Sequence, residues 1–172
     1  EIKEQLYATD HPTVQPGDIR FKDLDDNGKI DDNDRDFLGS PIPKFTYGFT
    51  LNGEYKGFNL SMLFHGVQDV QHFNDLKKIL NYDTRPFNHT TEMLGYWHGE
   101  GTSNSIPRPS FTDNGGSRIS SIFVEDASFF RLKNVEIGYS FAKLLKKTNS
   151  HISDLKVYVS AENLFTVTSY SG

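Results

Sequence analysis

The chain has 172 residues, a formal net charge of −5, no cysteine and a mean hydropathy of −0.56. Acids and bases are interspersed, which excludes nucleic acid as the partner, because phosphate binding needs a basic surface; without cysteine there is no disulfide framework, thiolate metal site or thiol nucleophile. No apolar run reaches the ~18 residues of a membrane helix, yet 14 Phe and 8 Tyr in so hydrophilic a chain suit thin apolar stripes better than one thick core, a composition open to a membrane barrel with lipid outside and water inside.

The opening Glu1-Ile2-Lys3-Glu4 is no signal peptide, so an export signal is expected upstream. The first distinctive segment is acidic and spans residues 17–41. Asp23, Asp25, Asn27, Gly28, Asp31 and Asp34 spell D-x-D-x-N-G-x-x-D-x-x-D. An EF-hand-type loop takes oxygens from positions 1, 3, 5, 7, 9 and 12, with Gly at 6 for the turn. The expected calcium ligands are therefore Asp23, Asp25, Asn27, the Lys29 carbonyl, Asp31 (directly or through water) and Asp34, with apolar Ile30 at position 8. A hard dication wants about 6–8 oxygens, and a tight Gly turn lets one short loop supply them. Asp in place of Glu at the last position implies a weaker, single-oxygen contact. Pro16-Gly17 and Gly39-Ser40-Pro41 bracket the loop too closely for flanking helices, so the ion would be structural. The competing reading is a solvated turn rich in Asp and Asn that needs no ion.

From Lys44 the run KFTYGFTLNGEY alternates. Phe45, Tyr47, Phe49, Leu51 and Tyr55 share one face, and Thr46, Gly48, Thr50, Asn52 and Glu54 the other. Lys56-Gly57 makes a tight turn, and FNLSMLFHG alternates again, which predicts a β-hairpin. Residues 67–121 follow as a long irregular stretch rich in Pro and Gly, with a short helical turn expected over 75–80. So long a connection is uncommon inside a compact soluble domain and ordinary for the outer side of a transporter barrel. VEDASFFRLKNVEIGYSF then predicts a strand with Val135, Ile137, Tyr139 and Phe141 on one face. AKLLKKTNSHIS reads as a short basic helical connection. LKVYVSAENLFTVTSY predicts a last strand with Leu155, Val157, Val159 and Ala161 on one face and a slip near Asn163, a candidate bulge.

Other candidates are less specific. Tyr96 and Trp97, followed by His98, could stack on a sugar ring, against a plain packing role. His65, His72, His89 and His98 lack a tight ligand spacing. Glu125 and Asp126 point opposite ways on a strand and do not converge for hydrolysis. No enzymatic activity is expected. Taken alone, the strands fit either a half-wet soluble sandwich or four strands of a membrane barrel, which needs at least about 8.

The segments PGDIRFKDLDDNGKIDDNDRDFLGSPIPKFTYGFTLNGEYKGFNLSMLFHG, IPRP, VEDASFFRLKNVEIGYSF and LKVYVSAENLFTVTSYSG resemble, in order, the C-terminal region of the SusC/RagA family, TonB-linked outer-membrane proteins of Bacteroidota. The resemblance implies an all-β fold, with antiparallel strands of a large transmembrane β-barrel of which residues 1–172 are the C-terminal part. It implies outer-membrane lipid around the sheet, a SusD-like surface lipoprotein, and the TonB complex acting through an N-terminal plug that lies before Glu1. Its substrates would be glycans or peptides. It also implies that the family pattern continues past Tyr170-Ser171-Gly172 and that this stretch alone transports nothing. On that reading the Tyr55–Phe58 turn and the 142–153 connection face the periplasm, whereas the 17–41 and 67–121 segments face outside. The alternative function is a soluble β-rich calcium-binding module for carbohydrate binding or adhesion.

Overall fold

A computed structural model describes residues 14–82, 84, 88–113, 115–116, 118–148, 152 and 154–171. The chain start at Glu1, Pro86, Asn114, Gly172, and residues 149–151 and 153 of the basic connection lie outside the described residues. The chain divides into two compact units: Ser40–His72 with Glu125–Ser171, and Glu1–Gly39 with Phe73–Val124 and Gly172.

The first unit is a four-stranded antiparallel sheet in the order β1-β2-β5-β6, formed by Phe45–Tyr55 (β1), Phe58–Gln68 (β2), Phe129–Ser140 (β5) and Lys156–Thr168 (β6). Between β2 and β5 come two short paired strands, Gln71–Phe73 (β3) and Val124–Asp126 (β4), and the helix Asp75–Tyr82 (α1). Strands β1 and β2 are rich in aromatic and apolar residues at alternate positions, the pattern that fits a pleated surface. Their register runs from Phe45↔Gln68 to Tyr55↔Phe58 without a break. The two turn residues Lys56 and Gly57 both have positive φ, 49° and 96°, which matches the twist of the strands they join. The basic connection folds as the short helix Ala142–Lys147 (α2).

Registered partners in an antiparallel pair project from the same face, so the register assigns every side chain. One face carries Phe45, Tyr47, Phe49 and Leu51 of β1, with Phe58, Leu60, Met62 and Phe64 of β2 opposite them. It continues through Phe130, Leu132, Val135, Ile137 and Tyr139 of β5 to Val157, Val159, Ala161, Phe165 and Val167 of β6. The other face is mainly polar: it carries Thr50, Asn52 and Glu54, then Asn59, Ser61 and His65, then Arg131, Asn134 and Glu136, then Lys156, Ser160, Glu162 and Thr166, with Leu63, Val67, Phe129 and Tyr158 among them.

Two irregularities keep that separation. Leu63↔Asn134 is followed by Phe64↔Leu132, so Lys133 is an extra residue against β2. Opposite it, β6 places Asn163 and Leu164 between the partners of Asn134 and Leu132, and Asn163 has φ 53°. The slip expected near Asn163 is thus a bulge. Lys133 is the step that sequence reasoning missed: before it even-numbered residues of β5 are apolar-facing, and after it odd-numbered ones are. The signal was present in FFRLKNVEI, where the apolar phase shifts between Leu132 and Val135.

The 67–121 stretch, which begins in the first unit and continues in the second, is not irregular throughout. Strand β2 runs on to Gln68 and the expected helical turn extends to Tyr82. Phe123 is fully buried against Tyr82 and Phe73, with ring centroids at 5.1 and 5.8 Å. The Asn74 N–H donates to the Phe123 carbonyl at 2.7 Å. Buried Asn81 accepts from the Thr90 hydroxyl at 2.8 Å and donates to Glu92 at 3.1 Å, so its amide is satisfied as burial requires.

Candidate functional site

The sheet's apolar face is exposed. Val159 is 75% exposed, Phe45 60%, Ile137 57% and Leu51 52%. A soluble protein rarely leaves so large a contiguous apolar surface uncovered. The face is also graded along the strands. Near the β1 start, Phe49 stacks on Phe64 at 4.7 Å and Phe64 on Phe130 at 5.6 Å. Near the hairpin turn, Phe58 meets Tyr139 edge-on at 4.8 Å, and Tyr139 meets Phe141 at 4.8 Å. Between these aromatic bands lie Leu51, Leu60, Val135, Ile137 and Val159. Two aromatic girdles bounding an aliphatic band is the outward pattern of a transmembrane barrel. At ~3.3 Å per residue the 11 residues of β1 span roughly 36 Å, enough to cross a ~25 Å apolar band at the usual tilt.

The opposite face is polar and internally paired. Lys156 Nζ lies 2.8 Å from Glu136 Oε1. Arg131 packs its guanidinium over the Phe129 ring at 5.0 Å and donates from Nε to Thr166 Oγ1 at 2.9 Å. His65 tilts against the same Phe129 ring at 5.5 Å. Alternation in the sequence already sets Glu136 and Lys156 opposite the apolar residues of their strands, whereas Arg131 precedes the phase shift at Lys133 and its face follows only from the register.

The acidic loop is built from short-range hydrogen bonds. Gly28, at φ 82°, donates to Asp23 Oδ2 at 2.9 Å. Leu24 N–H donates to Asp34 Oδ1 and Asp31 N–H to Asp34 Oδ2, each at 2.7 Å. These bonds bring carboxylate oxygens of Asp23, Asp25 and Asp34 within 4.8 Å of one another. Desolvation raises the Asp25 carboxyl above its ordinary range, and the nearby Asp23 and Asp34 carboxylates add to the rise against the Asn27 N–H. The N–H groups of Leu24 and Asp31 hold Asp34 below its ordinary range. Three crowded hard oxygens are a donor set suited to a dication. The remaining expected ligands sit differently. Asp31 Oδ1 caps the 3₁₀ turn Asp32–Asp34 through Asn33 N–H at 2.8 Å. The Asn27 side chain donates to Asp25 at 2.9 Å and accepts from Lys29 N–H at 2.8 Å.

Trp97 lies against Gly17, where a Cβ would collide with its ring. Tyr96 is 37% exposed and meets His98 edge-on at 5.5 Å. His89 pairs with the Leu80 carbonyl at 2.7 Å and His72 with the Tyr170 ring at 5.6 Å. Glu125 binds Ser171, whereas Asp126 accepts from Ser128 N–H, so the two carboxylates serve separate partners.

A sheet with a wet side and a lipid-type side between aromatic belts defines the wall of a transmembrane β-barrel. Known proteins agree with this class. TonB-dependent receptor P3 of Formosa agariphila is 35% identical over 158 residues, 91% of this chain and 15% of that receptor. TonB-dependent receptor SusC of Bacteroides thetaiotaomicron is 27% identical over 173 residues, 99% of this chain and 16% of SusC. The RagAB peptide importer in its open-open state superposes with a TM-score of 0.64 at 27% identity, covering 78% of this chain and 14% of that chain. No protein-family profile matches. The chain spans about 15% of the length of the curated relatives it matches. It is a SusC/RagA-like segment, similar over most of its own length to TonB-dependent receptors, and its place is the outer membrane.

Proposed function

We propose that this chain is a wall segment of a TonB-dependent nutrient importer that works with a SusD-like surface lipoprotein and takes up glycans or peptides. The observation that carries the reading is the exposed apolar face backed by a charged polar one. A soluble carbohydrate-binding or adhesion module would have to cover that face with a second layer. Similarity to SusC and to the RagAB peptide importer supports the lipoprotein partner, and RagAB supports the peptide class; the glycan class follows from the resemblance to the family. In this reading the polar face, with Arg131, Glu136 and Lys156, lines the lumen, and the 17–41 and 67–121 segments face outside. The test is uptake of labelled oligosaccharides and oligopeptides by cells making the full-length receptor, with and without TonB. Uptake of one class that vanishes without TonB supports the reading, and uptake indifferent to both receptor and TonB ends it.

A calcium ion held by the acidic loop is part of the same proposal, supported by the convergence of Asp23, Asp25 and Asp34. The ion would neutralise crowded carboxylates and stiffen an outer loop, with Asn27, Asp31 and the Lys29 carbonyl completing the shell after local rotation. Extracellular calcium modules typically bind at 10⁻⁴–10⁻³ M. Tyr96 remains the better placed aromatic for a sugar ring, since Trp97 is engaged with Gly17.

A further inference from the structure

We propose that the hairpin-turn end of the sheet is a cationic rim that binds the phosphate of an anionic phospholipid in the adjoining leaflet. The proposal rests on the lipid-facing reading of the apolar face and on the periplasmic placement of the short connections. Two connections meet at this end. Ser140 N–H donates to the Gly57 carbonyl at 2.8 Å, and Phe141 N–H to the Leu155 carbonyl at 2.8 Å. The Phe141 carbonyl in turn accepts from Leu144 and Leu145 at the start of α2. Lys56 of the turn and Lys143, Lys146 and Lys147 of α2 are therefore neighbours along one rim. All four are exposed, and none forms an ion pair among the described residues. The described acids nearby are Glu54 and Asp154, and the latter accepts from the Ser140 hydroxyl at 3.0 Å.

The rim is continuous with the apolar face. Lys56 Nζ lies 5.2 Å over the Tyr55 ring, and Tyr55 belongs to the apolar face with Phe58 and Tyr139. Leu144 is 53% exposed between Lys143 and the last-turn lysines, and Leu155, two residues before Val157, is 48% exposed. Aromatic belts sit at headgroup level, and lysine stems lie along apolar surface while their ammonium groups reach the polar layer. Cations placed just beyond an aromatic belt, beside exposed leucines, fit a headgroup phosphate with its acyl chains on the sheet better than they fit an acidic protein. Each lysine near an anionic surface is worth about fivefold in binding, damped at high salt.

The experiment uses the full-length receptor and measures retention of phosphatidylglycerol against phosphatidylethanolamine by native mass spectrometry. The wild type should prefer phosphatidylglycerol by about tenfold or more. Replacing Lys56, Lys143, Lys146 and Lys147 together by Gln should abolish the preference, whereas Arg at the same positions should keep it. An equal preference in the Gln variant overturns the proposal. So does an intact preference accompanied by lost binding of an acidic periplasmic protein. Labelling Thr148→Cys with a bulky maleimide reports separately on the underlying reading. Protection in intact cells and labelling after permeabilisation uphold the periplasmic placement, and labelling in intact cells overturns that placement and the proposal together.

Discussion

Tyr47 lies across Gly66, its registered partner on the neighbouring strand, so that a Cβ at Gly66 would run into the Tyr47 ring. Gly66 is in turn registered with Phe130 on β5, and the Tyr47 and Phe130 rings are parallel at 6.4 Å. The missing side chain thus leaves a slot that a ring from the next strand fills, joining β1 to β5 over β2. This is aromatic covering of a strand glycine, which pins register where a glycine alone would loosen it.

Gly66→Ala should displace Tyr47 from that slot. The expected destabilisation is about 1–3 kcal/mol, the usual range for overpacking. Urea titration of the full-length receptor refolded in vesicles would measure it. Tyr47→Ala in the Gly66→Ala background should cost less than the two single changes summed, because the clash is then gone.

Charge on the exposed apolar face separates a membrane wall from a soluble sheet. Val159 is 75% exposed, and on a soluble protein Val159→Arg would change stability by less than about 0.5 kcal/mol. At the middle of a lipid-facing band the same change should cost about 2–4 kcal/mol. Ser160→Arg, one residue away on the polar face, should be tolerated. Folded fraction by heat-modifiable electrophoretic mobility reads both. Equal behaviour of the two variants would contradict the lipid-facing assignment.

The sheet was legible because alternation is local. The β1–β2 hairpin follows from an unbroken period of two and a two-residue turn, and the slip at Asn163 was visible in the chain. Face assignment in β5 was drawn from Val135 onward but not before Lys133, because a bulge reverses phase and only the partner strand shows where. The core around Phe123 was hidden for another reason. Tyr82, Met93 and Phe123 come from separated segments in a stretch rich in Pro and Gly, with no common period to link them. In the acidic loop the ligand spacing was readable, and Asp23, Asp25 and Asp34 do converge. That Asp31 would cap a turn depends on backbone dihedrals that spacing does not reveal.

The acidic loop gives a pH dependence of definite sign. Asp34 is held below its ordinary range by the Leu24 and Asp31 N–H groups. Its contribution to loop order is present above the unfolded value, about 3.9, and is lost as pH falls through its lowered folded value. Asp25 is raised, so it favours the folded loop when protonated, and that contribution is lost as pH rises through its folded value. Near neutral pH the ion-free loop therefore carries an Asp25 charge that its surroundings disfavour, which calcium would relieve. Chelation at pH 7 should speed amide exchange over residues 17–41, and Asp25→Asn should blunt the response. Below the ordinary carboxylate range chelation should change nothing. Exchange at pH 7 that is indifferent to millimolar calcium would remove the ion from the account.

The ion pair of Asp18 with Arg108 should matter more than any surface pair. Arg108 Nε lies 2.6 Å from Asp18 Oδ1 and its NH2 group 3.2 Å from Oδ2. The Asp18 side chain is 1% exposed, and the Gln15 N–H also donates to it at 2.8 Å. The Arg108 N–H adds a bond to the Gly17 carbonyl at 2.9 Å, so side chain and backbone together tie 15–18 to the Ile106-Pro107-Arg108-Pro109 segment. Arg108→Met leaves a buried carboxylate unpaired and should destabilise this unit by about 3–5 kcal/mol, whereas Asp18→Asn with Arg108→Met should recover much of that loss. Protease cleavage rates within residues 88–113 would measure both. A double variant no more resistant than Arg108→Met alone would show that the pair acts through the Gly17 backbone contact and not through charge.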